Sequence, residues 1–172
     1  MRQILLISGP PGAGKSTLAT PLAEALGFAL YSKDIIKEAL FDRLVFEPSE
    51  DVPPDTLSDV AMELLFELAA QHQRVVLDAN FKPDDPHQCE RLAALGGTIV
   101  EVHCRCDTDE LIRRYAQRAD SRHPAHALKY LTPELIARHS RPMELGPVIE
   151  VDTNAPVDFP ALLQRVRKAL SG

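Results

Sequence analysis

Two periods alternate along the chain. Short apolar runs, ILLI at 4–7 and VVL at 75–77, read as strands buried on both faces, and TIVEVHC at 98–104 and VIEVD at 148–152 read the same way. A fifth, shorter run lies at 28–31. Between them the apolar positions shift to helical spacing. The first such segment runs from about residue 14 to 26 and stops at Gly27. SKDIIKEALFD at 32–42 follows, and from 56 to about 72 Leu57, Val60, Ala61, Leu64, Leu65 and Leu68 share one helical stripe. Asp84 or Asp85 caps a further helix that ends at Gly96-Gly97, and DTDELIRRYAQR at 107–118 is the next. TPELIARH opens with a Thr cap and a proline at its first helical position, and 159–170 closes the chain. Residues 42–55, with Pro48, Pro53 and Pro54 among acids, read as a loop, and 119–131 carry no period.

Strands alternating with helices predict an α/β fold, a five-stranded parallel sheet covered by helices on both faces. A length of 172 residues predicts one domain, 1–172, with a sizeable core. In such sheets ligands bind outside the carboxyl ends of the strands, so the residues that follow each strand carry the chemistry.

The turn after the first strand is the most specific of these. Gly9, Pro10, Pro11, Gly12, Ala13, Gly14, Lys15, Ser16 and Thr17 spell GPPGAGKST, which fits G-x-x-x-x-G-K-[ST] between a strand and a helix. Glycines let backbone N–H groups turn inward around phosphate oxygens, and the following helix points its positive end at the same anion. Lys15 is expected on the β- and γ-phosphates and Ser16 on Mg²⁺. After the second strand stands Asp34, flanked by Lys33 and Lys37 on the substrate side. It is either a base for a hydroxyl acceptor or a helix cap. Asp78 ends the third strand and is expected to hold Mg²⁺ with Ser16, the alternative being a turn residue. Asn80 is a substrate contact or an Asx-turn. Arg114, Arg118 and Arg122 fall in and after one helix; Arg114 and Arg118 share a face and predict a closing lid at about 114–132, or else solvated pairs with acids such as Glu110. Thr153, in the loop DTNAP, is placed to touch adenine or ribose.

Composition narrows the classes. Hydrophobic content of 45% and charged content of 26% suit a globular protein, and no apolar run approaches the roughly 18 residues of a membrane span. The first strand begins at once, so no signal peptide is expected; three cysteines cannot all pair, and a reducing cytoplasm fits best. A net charge of −6 argues against an extended nucleic-acid surface, though not against gripping a strand end. Cys104 and Cys106 with His123 and His126 could be drawn as a zinc site, but their spacing is not that of structural zinc. Neither asparagine supplies the N-K-x-D motif of a GTPase.

Together, GPPGAGKST, SKDIIK, VVLDANFKP and ELIRRYAQR resemble the P-loop kinase group that includes phage polynucleotide kinase, the zeta toxins and chloramphenicol phosphotransferase. The resemblance covers about residues 3–155, and SRHPAHAL is similar to small bacterial predicted kinases. It implies an ATP- and Mg²⁺-dependent kinase. The γ-phosphoryl would pass to a hydroxyl of a small molecule or of a nucleotide or nucleic-acid 5′ end. It also implies Asp34 as general base, Arg114 and Arg118 as lid arginines, and Asn80 on the substrate side. Lys33 and Lys37 depart from the arginines of the phage enzyme, and a lysine is a point charge rather than a fork. The other class the loop admits is an ATPase or nucleotide-binding regulator without an acceptor, which would hydrolyse ATP unaided.

Overall fold

A computed structural model describes residues 1–44, 56–126 and 130–172. Five parallel strands form its sheet: β1 (Gln3–Ser8), β2 (Ala29–Ser32), β3 (Arg74–Asp78), β4 (Thr98–Arg105) and β5 (Val148–Asp152). Their order across the sheet is β2-β3-β1-β4-β5. The helices are α1 (Lys15–Leu26), α2 (Lys33–Arg43), α3 (Thr56–Ala70), α4 (Pro86–Ala94), α5 (Thr108–Gln117), α6 (Pro133–Ala137) and α7 (Phe159–Ser171), with a 3-10 turn at Ala119–Ser121.

Strand residues alternate between two cores, as a sheet buried on both sides requires. Leu5, Ile7, Val100, Val102 and Cys104 pack with α1, α5 and α7, among them Leu22, Leu111 and Val166. Ile4, Leu6, Val75, Leu77 and Ile99 face the other way, against Leu65 and Phe66 of α3 and Leu92 of α4. The predicted α/β architecture, with helices on both faces, is the architecture found.

Boundaries follow local chemistry. Gly27 adopts φ 67°, and its N–H reaches the carbonyls of Ala23 and Glu24, ending α1. The side chain of Asp85 caps α4 by accepting from the N–H groups of His87 and Gln88, and Thr132 caps α6 through the N–H of Leu135. Three expectations shift. Strand β2 begins at Ala29 because its ladder pairs Ala29 with Val75 and Ser32 with Asp78. Helix α3 ends at Ala70, where the amides of Gln71 and His72 fold back onto Leu68 and Ala69. Helix α6 is one short turn and a half, ending at Ala137. The expected loop at 42–55 overlaps the end of α2, and its residues 45–55 lie outside the described residues. Among the described residues no helix is long and apolar enough to cross a membrane.

One polar network is built into the sheet. Ser8 Oγ lies 2.5 Å from Glu101 Oε1 and 2.7 Å from His103 Nδ1, all three buried. Glu101 accepts from the amides of Met143 and Glu144, and His103 Nε2 donates to the carbonyl of Ser140 at 3.0 Å. Polar side chains in otherwise apolar β4 thereby pin the segment 140–144 to that strand and tie it through Ser8 to the end of β1, which leads into the glycine-rich turn.

Candidate functional site at the carboxyl rim of the sheet

Strand β1 runs out at Ser8, and the chain then turns through Gly9, Gly12 and Gly14 with φ of 127°, 87° and 80°. A Cβ at Gly9 would stand 2.4 Å from the carbonyl oxygen of Cys104, so no other residue fits there. The loop Gly9–Gly14 thus lies close over β4 and delivers the amino end of α1 to the rim. Pro10 and Ala13 are tied by a 3.2 Å backbone bond, and the N–H of Thr17 closes on Gly14. Pro11 is half-buried, and Ser16 and Thr17 are exposed.

Lys15 is almost fully buried, and its Nζ donates to the carbonyls of Gly9 and Pro10, both at 2.9 Å. Burial pushes its ammonium pKa down, and Asp78 and Asp34 oppose that shift. An ammonium satisfied only by neutral carbonyls in such surroundings favours an anion that can replace them. Ser16 Oγ donates to Asp78 Oδ2 at 2.7 Å. Burial raises the Asp78 carboxyl, with Lys15 and Ser16 pulling it back. A buried carboxylate beside a hydroxyl, both hard oxygen donors at the phosphate loop, suits Mg²⁺, which keeps several waters and takes few protein ligands. The residues present therefore fit the ion that the loop motif implies.

Across the rim, Asp34 occupies the first turn of α2. Its side chain is 51% exposed, and Lys33 Nζ lies 3.5 Å from Oδ1. Burial would raise the carboxyl, but Lys33, His126 and Lys15 outweigh it and hold the pKa below the ordinary value. No side-chain cap bond is present at the start of α2, so Asp34 is not a cap. Lys33 also donates to Ser58 Oγ at 3.1 Å. Lys37 is half-buried one turn further along α2, and Asn80 is half-buried two residues past β3.

The arginines divide. Arg114 Nε bonds Glu110 Oε1 at 2.6 Å and its Nη2 bonds the carbonyl of Thr153 at 2.7 Å. Arg114 and Thr153, both expected on the nucleotide, are therefore joined through the Thr153 carbonyl, while Arg114 also makes the expected pair with Glu110. Arg113 shares Glu110, whose carboxyl falls to about 2 because both guanidinium groups hydrogen-bond it. Arg118 brings Nη2 to within 3.9 Å of a Cβ built on Gly12, against the phosphate loop. Arg122 stacks 3.8 Å over the ring of Tyr115. The expected lid at 114–132 contains the end of α5, the 3-10 turn and a turn at 123–126; its residues 127–129 lie outside the described residues. A cavity of about 300 Å³, lined by Arg105, Cys106, Asp107, Glu150, Asp152 and Asn154, opens beside Thr153.

The proposed zinc cysteines and histidines are not together. Cys104 is buried in the α1 face, Cys106 bonds Asn154, and His123 and His126 bond Asp42 and Glu38 of α2. Sequence reasoning missed two residues on the rim, Lys82 and His139. His139 follows α6 and is 5% exposed, with Nδ1 2.9 Å from the carbonyl of Phe81. Lys82 lies within the block VVLDANFKP without being singled out there, and no motif marks His139.

A glycine-rich loop over β4, a buried lysine and a Ser16–Asp78 pair between the first turn of α1 and the end of β3 define a P-loop nucleotide-binding protein of kinase-like fold. A match to the AAA domain family spans residues 5–127, and the chain belongs to that family. An adenylate kinase of Thermus thermophilus is 33% identical over 136 residues, covering 69% of this chain and 67% of that protein. A cytidylate kinase of Ignicoccus hospitalis is 27% identical over 124 residues, 67% of this chain and 64% of that one. A solved protein of Chloroflexus aurantiacus, provisionally assigned as a kinase, superposes with a TM-score of 0.83 at 30% identity, covering 98% of both chains. These relatives carry the kinase class. None of them belongs by name to the polynucleotide kinase, zeta toxin or chloramphenicol phosphotransferase group.

Proposed function

We propose that the protein is an ATP-dependent kinase, one domain over 1–172, that transfers the γ-phosphoryl group to a hydroxyl of a small molecule or of a nucleotide or nucleic-acid 5′ end. The observation that carries this reading is Asp34, an ionised, half-exposed carboxylate across the rim from Lys15 and Asp78. The loop around Gly9, Pro10 and Pro11, the N–H groups from Gly12 to Thr17, and Lys15 would hold the phosphates, with Arg114 and Thr153 on the nucleoside side. Ser16 and Asp78 would hold Mg²⁺, which when bound neutralises charge on the phosphate oxygens. Lys33, Lys37, Asn80 and Arg122 would line the acceptor side.

In the transfer step a bond forms from the acceptor oxygen to the γ-phosphorus while the bond to the leaving ADP oxygen breaks. The hydroxyl proton passes to Asp34. Its depressed pKa suits this role, because a loose phosphoryl transition state needs the hydroxyl oriented first and deprotonated late. Arg118 and Arg114 would neutralise the charge that builds on the moving group.

Asp34→Asn tests the assignment: transfer to an alcohol should fall by about 10²–10⁴-fold while ATP binding is retained. Unchanged turnover would remove Asp34 from the reaction. A second reading has support in the adenylate and cytidylate kinase relatives: a phosphate acceptor, which needs no base. It is favoured if Asp34→Asn keeps full activity toward nucleoside monophosphates. Cytoplasmic location belongs to the same proposal and rests on the three free thiols.

A further inference from the structure

The acceptor side of the rim is unusually rich in cations, and the topology is the reason. Strands β2, β3 and β1 are neighbours, with Ser32 paired to Asp78 and Asp78 paired to Ile7. Each of the three strands is followed by a lysine: Lys33 directly after β2, Lys82 four residues after β3, Lys15 at the start of α1. Lys15 faces the phosphate loop and Lys33 is held by Ser58 and Asp34. Lys82 is exposed, and among the described residues its side chain has no ion pair or hydrogen bond. Its backbone is fixed all the same, the N–H donating to Gln88 Oε1 at 3.0 Å.

His139 completes the group. Its ring is buried against the loop that bears Lys82, with Nδ1–H donating to the Phe81 carbonyl. The segment behind it is anchored by His103 on the Ser140 carbonyl, by Glu101 on the Met143 and Glu144 amides, and by the ion pair of Arg141 with Asp84. Nε2 has no partner among the described residues. Among the described residues, Arg91 Nε is the one fully enclosed side-chain polar atom without a partner, so Nε2 is not fully enclosed. Burial lowers the His139 pKa, the Phe81 carbonyl opposes this, and Lys15, Lys82 and Lys33 lower it further. The ring is thus tied at Nδ1 to the loop that bears Lys82 and lies near three ammonium groups, of which that of Lys82 alone carries no hydrogen bond or ion pair with a described residue.

We propose that the acceptor docks through an anionic group, a carboxylate or a phosphate, held by Lys82 and His139 with Lys33 beside them. The inference rests on the kinase reading and names its substrate class: a hydroxy acid or a phosphorylated alcohol rather than a neutral alcohol. Lys82 supplies the charge. His139 accepts a proton as the anion arrives, and its Nε2–H then donates to an anion oxygen. Asp34 remains on the Lys33 side, free to meet the hydroxyl.

The test uses three matched probes, glycerol, glycerate and glycerol 3-phosphate, with Mg²⁺ and a non-hydrolysable ATP analogue filling the phosphate loop. NMR of isotopically labelled histidine rings reads binding without requiring transfer. Glycerate, glycerol 3-phosphate or both should move the His139 resonances and raise its pKa, while glycerol at the same concentration does neither. Whichever anion acts identifies carboxylate or phosphate as the group recognised. Lys82→Gln should weaken that response at least about fivefold, in the range of one charge-assisted contact. His139→Asn, which keeps a donor for Phe81 but loses Nε2, should weaken anion binding while the melting temperature stays put. Equal responses to glycerol and the anions, or an anion response unchanged in Lys82→Gln, would overturn the proposal. Transfer to neutral and acidic alcohols alike would sink the docking site and leave the kinase standing. An anion response with no transfer to any alcohol would do the reverse.

Discussion

Asp78 shows how chemistry at a single residue can oppose stability. Burial raises its pKa, so the ionised form is disfavoured in the folded chain. At neutral pH that carboxylate therefore weakens folding, and stability recovers as the pH falls through the raised pKa. Asp78→Asn should melt no lower than the parent without ligands, and should lose the extra stabilisation that Mg²⁺ adds to nucleotide; a lower melting point in the ligand-free variant would contradict the assignment. Asp34 has the opposite sign. Its pKa lies below the ordinary carboxylate value, so kcat/KM should stay flat from pH 7 down past about 5, and an acidic limb centred near 6 would assign the base elsewhere. Gly9 is constrained by geometry alone. Gly9→Ala should destabilise by about 1–3 kcal/mol, measured by denaturant unfolding, because the new methyl meets the Cys104 carbonyl in a backbone conformation that favours glycine.

At the scale of elements, the turn His123-Pro124-Ala125-His126 joins the arginine-bearing segment to α2. The N–H of His126 closes the turn on the carbonyl of His123, whose own Nδ1 accepts from the Ala125 amide. His123 Nε2 then lies 3.1 Å from Asp42 and His126 Nε2 lies 2.7 Å from Glu38. Asp34, Glu38 and Asp42 are spaced four apart, so one face of α2 carries the candidate base and both anchors. Replacing both histidines by alanine should speed amide exchange at residues 125 and 126 while β1 and β4 keep their protection. Each contact is partly exposed, so a double-mutant cycle of His126 with Glu38 should give about 0.2–1 kcal/mol. A coupling near zero would mean that the turn stands without α2. The sequence showed the histidines but not their partners, since nothing local relates residue 126 to residue 38.

For the molecule as a whole, the strands and helices were legible because each apolar run or stripe is long enough to declare its period, and GPPGAGKST names its own turn. Strand order was not legible. Placing β3 between β2 and β1 depends on which crossovers pack, and that order brings Asp34, Asp78 and Lys15 to one rim. Lys82 and His139 stayed hidden for the same reason: His139 acquires its position through a carbonyl 58 residues away. Glu101 and His103 did leave a signal, two polar residues on alternate positions of an apolar strand, which marks a buried network rather than a surface. If the rim binds nucleotide, Mg-ATP at 100 times its Kd should add about 2.7 kcal/mol, a rise of roughly 5–10 °C in Tm, and Lys15→Ala should abolish most of it.

Transfer to an acceptor, rather than hydrolysis, is what separates a kinase from an ATPase at this rim. It is tested most directly by following γ-labelled phosphate from Mg-ATP, with Lys15→Ala as the blank, alone and with a 5′-hydroxyl oligonucleotide or a pool of neutral and acidic alcohols. A kinase should release phosphate slowly without acceptor and carry the label onto an acidic alcohol when one is present. Free phosphate appearing at one rate whatever is added would make the protein an ATPase.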